Sequence, residues 1–316
     1  MNLIVLMFVM LSCIMNMHAQ FPDRVGMPDC DAISAEREGL VWGTSCTIIP
    51  GYITIANPSQ GMVSTEEASL AIGAADDAVV SLGDGGICTM MFARPIADGP
   101  GADFAVFENA FDDYFLELAF VEVSSDGEQF VRFPAVSLTQ SKQQLGPFMR
   151  IPDVRALNNL AGKYRRGFGT PFDLSALKDS AGIDIQSITH VRVIDVIGSI
   201  DSQFASRDSR GNIINDPWPT PFSSCGFDLD GIAVINEKKE VSEQLTFAPN
   251  PIHAGEHASA RVLEHADALS VYTMQGEFIR EGKDGMVDIH GMSGGMYIVK
   301  GMHEGRMQSG ILIIMP

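Results

Sequence analysis

Residues 116–133, with the sequence LELAFVEVSSDGEQFVRF, decide the expected fold of the larger part of this chain. Residues 118–123 are apolar at nearly every position, which is typical of a strand buried on both faces between two packed sheets. The Ser-Asp-Gly-Glu sequence at 125–128 predicts a hairpin turn, because Asp-Gly supplies the positive φ angles that such turns require. The pattern predicts strand, turn and strand within a β-sandwich.

Similar segments recur on both sides of this hairpin. They are rich in Val, Ile and Phe, are bounded by Gly, Asp or Pro, and span residues 78–82, 104–107, 130–133 and 190–197. Helical periodicity is scarce, and short helical pieces are predicted only at 64–72 and at 173–178, where Asp173 is the expected N-cap. The expected fold class is all-β, a jelly-roll-like β-sandwich followed by a smaller β-sandwich.

The composition restricts the classes of partner. The 316 residues are 46% apolar and 19% charged, which is ordinary for a globular protein, and the formal net charge is −19. A surface this acidic repels nucleic-acid backbones and anionic lipids, so nucleic acid is not an expected partner. Beyond the N-terminus the longest apolar runs are strand-sized, so the mature chain is expected to lack a transmembrane segment.

The N-terminus, residues 1–19, has the pattern of a signal peptide. An apolar run at 3–14 precedes Met17-His18-Ala19, which places a small residue before the cleavage point. The segment lacks the Lys or Arg that usually precedes the apolar run. Lipidation of Cys13 is the alternative, but the bulky Leu11 stands where a small residue is usual. The chain is therefore expected to be secreted.

Removal of residues 1–19 leaves an even number of cysteines. These are Cys30, Cys46, Cys88 and Cys225. In an exported chain they permit up to two disulfides with three possible pairings. A bridge between Cys30 and Cys46 is preferred because it would close a short loop near the terminus. Cys88 lies in an apolar run, where a buried thiol and a second bridge are both open.

A charge run at residues 237–244, beginning Glu237-Lys238-Lys239-Glu240, predicts a linker between a passenger domain at 20–236 and a tail at 245–316. The tail opens with Pro249-Asn250-Pro251, continues through a Val-Tyr hairpin and a Gly-Met-Tyr-Ile-Val strand at 295–299, and ends in an aliphatic strand at 311–314. In this order the features resemble the C-terminal sorting domain of the type IX secretion system. The resemblance implies the secretion machinery as a partner, removal of the tail, and anchoring on the outer surface or release. A small Ig-like domain that binds a ligand itself is the alternative.

The passenger carries a second resemblance. GADFAVFEN at 101–109, residues 117–127, and DPWPTP at 216–221 followed by GFDLDG at 226–231 are similar to bacterial cell surface proteins of unassigned activity. The V-E-V-S-S-D-G-x-x-F element resembles the hairpin of galactose-binding-like jelly rolls, which mostly bind glycans. The resemblance implies a binding function and names no catalytic chemistry.

The passenger lacks the residues of the common catalytic motifs. It contains one histidine, His190, which we expect to be structural, and no Gly-x-Ser-x-Gly, His-Glu-x-x-His or Cys-x-x-Cys sequence. A glycoside-active enzyme needs only two carboxylates, and Glu108, Glu117 and Glu122 leave that alternative open. Glu122 is expected to pair with Arg192 instead. No enzymatic activity is expected.

Acidic and amide side chains are concentrated near a long segment at 198–226, namely Asp195, Asp201, Asp208, Asn212, Asn215 and Asp216. Such numbers of oxygen ligands suit Ca²⁺, although the EF-hand spacing is absent. We expect a structural calcium site with Glu108, Asp228 and Asp230 as ligands, because these residues stand where strands meet loops. The alternative is that the aspartates cap turns.

Aromatic residues near this segment indicate a ligand surface. Trp218 is held in stiff backbone by flanking prolines, and with Asp216 beside it could stack on and hydrogen-bond to a sugar ring. Tyr164 and Arg165 are expected to add donors from another loop, while Trp218 as a core residue is the alternative. The sequence thus predicts a secreted or surface-displayed, non-catalytic protein that binds an extracellular glycan. Other small ligands such as a corrinoid, and a structural or adhesive role, stay open.

Overall fold

A computed structural model describes residues 21–64, 68–238, 245–253, 259–262, 266, 268–303 and 306–316. The chain divides into two compact units, Met1–Lys238 and Lys239–Pro316, and the division falls within the predicted linker. The predicted signal peptide at 1–19 and residues 239–244 of the linker lie outside the described ranges. No helix in those ranges is long and apolar enough to cross a membrane.

The first unit is built from short strands and single turns of 3₁₀ helix. The strands are β1 (Ile33–Ser34), β2 (Val41–Trp42), β3 (Ser45–Ile49), β4 (Val80–Ser81), β5 (Ile87–Ile96), β6 (Phe104–Glu108), β7 (Ala119–Ser124), β8 (Val131–Arg132), β9 (Val136–Ser137), β10 (Leu157–Asn158), β11 (Phe168–Phe172), β12 (Ile188–Asp195) and β13 (Asp228–Val234). The 3₁₀ helices are Pro58–Gln60, Ala68–Ala71, Val154–Ala156 and Leu174–Leu177.

Two main sheets face each other in this unit. One has the strand order β1-β11-β6-β13-β2, with β4 added beside β13, and the other has the order β3-β5-β12-β7-β8. All the strand pairs of both sheets are antiparallel. The predicted all-β sandwich is confirmed.

The core lies between the two sheets. Phe104 on β6 stacks on Phe172 of β11 with ring centroids 5.3 Å apart, and Phe133 meets the ring of Phe172 edge-on at 5.0 Å. Valines of the facing sheet, among them Val121 and Val193, complete the same buried cluster. Fully burying such side chains stabilises the fold by roughly 1.5–3 kcal/mol each.

The hairpin that decided the expected fold joins β7 to β8. Gly127 has the positive φ of 78° that the turn requires, and the Ser124 hydroxyl accepts a hydrogen bond from its N–H at 2.9 Å. The Asp126 carboxylate accepts a hydrogen bond from the Glu128 N–H at 2.8 Å. These local bonds hold the turn in the conformation that the Asp-Gly sequence predicts.

The predicted helical pieces are shorter than expected. Residues 173–178 form one 3₁₀ turn, Leu174–Leu177, and Asp173 is its N-cap, accepting a hydrogen bond from Ser175 N. Of residues 64–72, the described part forms the 3₁₀ turn Ala68–Ala71. Both segments end after a single turn, which is the usual length of a 3₁₀ helix because its hydrogen-bond geometry is poor.

The second unit is a separate small β unit with its own core. Its strands are β14 (Phe247–Ala248), β15 (Ile252–His253), β16 (Ser259–Val262), β17 (Ala268–Thr273), β18 (Phe278–Gly282), β19 (Met286–Asp288), β20 (Gly295–His303) and β21 (Arg306–Met315). They form sheets of order β14-β16-β19 and β15-β21-β20-β17-β18. Val271, Val299 and Leu312 are among the residues buried between them.

Replacing Phe104 by Ala should lower the free energy of unfolding of the first unit by about 3–5 kcal/mol, because the ring is fully buried between two others. Urea unfolding followed by circular dichroism measures this change. The matched control is Phe111→Ala, whose ring is 76% exposed and should change stability by less than about 0.5 kcal/mol. Equal effects of the two substitutions would contradict the assigned core.

Candidate functional site

Four carboxylates meet at one end of the sandwich because of where the strands start and stop. Glu108 is the last residue of β6, and Asp228 is the first residue of the neighbouring β13. Asp195 is the last residue of β12 and lies opposite Ala119, the first residue of β7, so that Glu117 precedes β7 at the same edge. Each of the two facing sheets therefore contributes two acidic side chains to one end.

Two loops add further carboxylates at this end. Asp84 lies in the turn between β4 and β5, and its Oδ2 accepts hydrogen bonds from Ile55 N at 2.8 Å and from the Trp218 indole N–H at 3.0 Å. Asp216 accepts a hydrogen bond from Leu118 N at 3.1 Å. We call Asp84, Glu108, Glu117, Asp195, Asp216 and Asp228 the carboxylate cluster.

Backbone donors hold the cluster in place. Asp195 accepts hydrogen bonds from Phe227 N at 2.7 Å and from Gly85 N at 2.9 Å, which connects the end of β12 to two loops. Glu108 accepts one from Ala110 N at 2.8 Å, and Asp228 accepts one from the Ser81 hydroxyl. Glu117 differs, because no described residue donates a hydrogen bond to its carboxylate.

Burial and mutual repulsion govern the electrostatics of the carboxylate cluster. Burial, followed by the charges of neighbouring carboxylates, raises the pKa of Glu108, Glu117, Asp195 and Asp216 well above the ordinary value. Burial also raises the pKa of Asp84 and of Asp228. Within residues 21–64 and 68–238 none of the six carboxylates forms a salt bridge.

Buried carboxylates without a cationic partner can be neutralised in two ways. The carboxyls can hold protons and remain neutral, or a cation can neutralise them, since an isolated buried carboxylate is very costly. Ca²⁺ takes six to eight oxygen ligands, and because no three of these six carboxylates place oxygens within 4.8 Å of one another, a bound ion would have to draw them together. The cluster is therefore a candidate site for protons or for a divalent cation.

The structure separates the three predicted calcium ligands. Glu108 and Asp228 belong to the carboxylate cluster, but Asp230 does not. The pairing of β13 with β6 shifts register between Leu229 and Gly231, and Asp230 is the extra residue of this bulge. Asp230 instead accepts hydrogen bonds from the N–H groups of residues 76 and 77 at 3.0 and 3.3 Å.

A tighter acidic group lies on the loops at the start of β6. Asp98, Asp103 and Asp173 each offer one carboxylate oxygen within 4.8 Å of the others. Asp103 already accepts hydrogen bonds from Gly99 N and Leu174 N, and Asp173 caps a 3₁₀ turn. The Oδ1 atom of Asp98 is buried without a hydrogen-bond partner. These three residues are not among the calcium ligands predicted from the sequence.

Trp218, the predicted aromatic ligand residue, is attached to the carboxylate cluster through Asp84. Its backbone N–H donates to Leu145 O at 2.8 Å, and its ring lies 6.2 Å from that of Phe204. The predicted partner Asp216 lies nearby in sequence but is 3% exposed, so its carboxylate belongs to the buried cluster.

The structure assigns Tyr164 and Arg165 to other contacts. Tyr164 is 1% exposed and its hydroxyl donates to Asp31, so burial removes it from the ligand surface, contrary to the prediction. The Arg165 guanidinium donates to Asp113 at 2.8 Å and lies over Phe168. No described contact connects either residue to Trp218.

Two exposed aromatic rings lie on two loops that hydrogen bonds connect near Trp218. Phe148 is 74% exposed and Phe222 is 44% exposed, and their ring centroids are 5.8 Å apart with an interplanar angle of 35°. Asn215 Oδ1 accepts from Leu145 N at 3.1 Å and helps to join the two loops. We call Phe148 and Phe222 the aromatic pair, which the sequence interpretation missed because neither residue stands in a recognisable pattern.

The predicted Cys30–Cys46 bridge is not formed. The four cysteines within the described ranges, Cys30, Cys46, Cys88 and Cys225, are free thiols. Cys30 lies next to Asp31 and Lys163, whereas Cys46 is on β3, where its Sγ is 3.3 Å from Ala68 O and beside Cys88. Strand pairing directs Cys46 towards β5 and not towards the N-terminal segment.

Glu122 and His190, the other residues considered for catalysis, contact neighbouring side chains of the β-sheet. Glu122 forms ion pairs with Arg132 at 2.8 Å and, as expected, with Arg192 at 3.5 Å. His190 is within 2.8 Å of the Thr189 hydroxyl and meets Phe130 edge-on. Comparison with protein-family models and with curated protein sequences gives no match to this chain.

Glu117→Gln should make stability less dependent on pH in the absence of a divalent cation. A carboxyl whose pKa is higher in the folded than in the unfolded chain binds its proton more tightly when folded, so stability falls as pH rises from about 4 towards the folded pKa. The substitution removes one such group and should raise the melting temperature at pH 8 by at least about 2 °C, the shift expected for 1 kcal/mol.

The measurement is a series of thermal melts in chelator between pH 5 and pH 8. Glu38→Gln, at an exposed position, is the control for the loss of one negative charge and should leave the pH dependence unchanged. A wild-type protein that becomes more stable between pH 5 and pH 8 in chelator would contradict the electrostatics assigned to the cluster.

Proposed function

We propose that this protein is exported, displayed on the cell surface or released, and binds an extracellular glycan without chemical conversion. The observation that carries the proposal is the exposed aromatic pair on loops joined to Trp218, next to the carboxylate cluster. Export is supported by the signal pattern at residues 1–19 and by the resemblance of residues 245–316 to a type IX sorting domain. The secretion machinery is the corresponding proposed partner.

The chemistry of the aromatic pair suits a sugar ring. The apolar face of a sugar stacks on an aromatic ring, and its hydroxyls need donors and acceptors close by. Phe148 and Phe222 leave ring surface open to solvent, and Ser223 and Ser224, which follow Phe222, are exposed. Trp218 is the anchored member of the surface, because its indole N–H is bound to Asp84.

Calcium has a supporting role in this proposal. A Ca²⁺ ion at the carboxylate cluster would neutralise charges that belong to both sheets and to the loop of Asp216 and Trp218. It would thereby fix the backbone that presents the aromatic residues. From the sequence, Glu117 is a candidate only for a catalytic carboxylate. Here it is a proposed calcium ligand.

The burial of the carboxylates and the exposure of the aromatic rings also bear on the alternative functions. A glycoside-active enzyme would have to bring substrate to its carboxylates, yet Glu108 is 2% exposed and Asp195 is 4% exposed. A flat ligand such as a corrinoid could also stack on aromatic rings and is separated from a glycan by the binding assay below. A structural or adhesive role predicts no selective small ligand at all.

Phe148→Ala and Phe222→Ala should each weaken glycan binding at least about fivefold, because stacking contributes on the order of 1–3 kcal/mol per ring in such surfaces. A glycan array identifies the ligand class, and calorimetry with the selected oligosaccharide and with cobalamin measures affinity. Phe111→Ala removes an equally exposed ring elsewhere and should leave affinity unchanged. Selective cobalamin binding would replace the glycan as ligand, and absence of any selective ligand would refute the binding proposal.

Calcium at 100 times its dissociation constant should stabilise the protein by about 2.7 kcal/mol relative to chelator at pH 7.5. Thermal melts of the wild type, Glu117→Gln and Asp98→Asn identify the site. Loss of the calcium effect only in Glu117→Gln supports the carboxylate cluster, and loss only in Asp98→Asn assigns the ion to the group at the start of β6. No calcium effect in the wild type would show that protons alone neutralise the cluster.

A further inference from the structure

Cys46 and Cys88 lie on neighbouring strands and point to the same side of their sheet. β3 pairs with β5 so that Cys46 is opposite Met90 and Ile48 is opposite Cys88. Residues two apart on a strand share a face, so the two cysteines are diagonal neighbours. Cys88 is fully buried in the core of the sandwich, and the half-buried Cys46 packs against that core.

The two thiols interact across the β3–β5 pair. The interaction with Cys88 lowers the pKa of Cys46 to about 7. The same interaction and burial raise the pKa of Cys88. Cys46 is thus both the more accessible and the more readily ionised thiol of the pair, and the thiolate is the reactive form.

The other two cysteines have no cysteine among their described neighbours. Cys225 is buried, and its Sγ lies 3.7 Å from Tyr52 O. Burial and the charges of Asp84 and Asp195 raise the pKa of Cys225 to about 12. Cys30 is placed beside Asp31 and Lys163. The geometry therefore selects one pair out of the four thiols.

We infer that Cys46 and Cys88 form a disulfide that joins β3 to β5 when the protein meets a disulfide oxidant. The Cys46 thiolate attacks one sulfur of the oxidant, forms a mixed disulfide and releases the first thiolate. Cys88 then loses its proton and attacks the Cys46 sulfur, which releases the second thiolate. Two thiols lose two protons and two electrons, and the oxidant is reduced to two thiols.

β3 must adjust when the bond forms. Diagonal neighbours in a sheet have Cα atoms roughly 7–8 Å apart, whereas a disulfide favours about 5.5–6 Å. β3 is an edge strand that pairs only with β5, so a small displacement disturbs one ladder and not two. The hydrogen bond from Cys46 to Ala68 O is lost at the same time.

The test uses purified wild-type protein incubated with oxidised glutathione, followed by alkylation of the remaining thiols, intact mass and peptide mapping. Among the four cysteines after residue 19, we expect Cys30 and Cys225 to be alkylated and one cross-linked peptide to contain Cys46 and Cys88. The disulfide should raise the melting temperature by roughly 5–10 °C, and a reductant should reverse the shift.

Variants separate this pair from the other pairings. Cys46→Ser and Cys88→Ser should abolish the cross-link, while the matched controls Cys30→Ser and Cys225→Ser should retain it. The wild-type peptide map decides the question even if Cys88→Ser does not fold. A bridge between any other two cysteines, or four alkylated thiols after exposure to the oxidant, would overturn the inference.

Discussion

The face-to-face packing of two antiparallel sheets determines where the chemically distinctive residues of the first unit lie. The aromatic contacts of Phe104, Phe133 and Phe172, together with valines of the facing sheet, hold the sheets together. Since the strands are antiparallel, the end of β6 lies next to the start of β13, and the end of β12 lies next to the start of β7. The same packing that buries the core therefore brings acidic residues from both sheets to one end.

That end combines buried charge with exposed aromatic surface. No described salt bridge pairs with these acidic side chains, and Asp84, Asp195 and Asp216 accept hydrogen bonds from the backbone around them. Trp218 is bonded to one of these carboxylates, and its loop is joined through Leu145 to the segment that carries Phe148. The buried acids and the exposed rings are therefore connected through the loop that carries Trp218.

Local sequence patterns were sufficient for the fold class. The apolar residues 118–123, the Asp-Gly turn and the Asp173 cap each depend on neighbours within a few positions, and each is present in the structure. The site depends on contacts distant in sequence. The contact between Asp84 and Trp218, and the convergence of Glu117 with Asp228, arise only when the sheets pack, so no spacing along the chain reveals them.

The cysteines illustrate the same limit. Cys30 and Cys46 are close in sequence, which made them the natural pair, but register on β5 gives Cys46 a different neighbour. Tyr164 is a similar case, because the Tyr-Arg-Arg sequence between glycines predicts an exposed loop. Its ring is nevertheless buried, with the hydroxyl bound to Asp31.

A bulge in β13 interrupts the regular alternation of side chains at the sequence Asp-Leu-Asp, residues 228–230. In a regular strand, residues two apart point to the same side, and Asp228 and Asp230 would be adjacent ligands of one ion. Asp230 is the extra residue opposite β6, and the two acids accept hydrogen bonds from different segments: Asp228 from the Ser81 hydroxyl, and Asp230 from the backbone of residues 76 and 77. Leu229 lies opposite Glu108 and Gly231 lies opposite Phe107, so deletion of Asp230 would leave a regular ladder in which every later side chain of β13 keeps its face. The bulge therefore adds a buried acid to β13 without changing the alternation by which Ile232 and Val234 face the core.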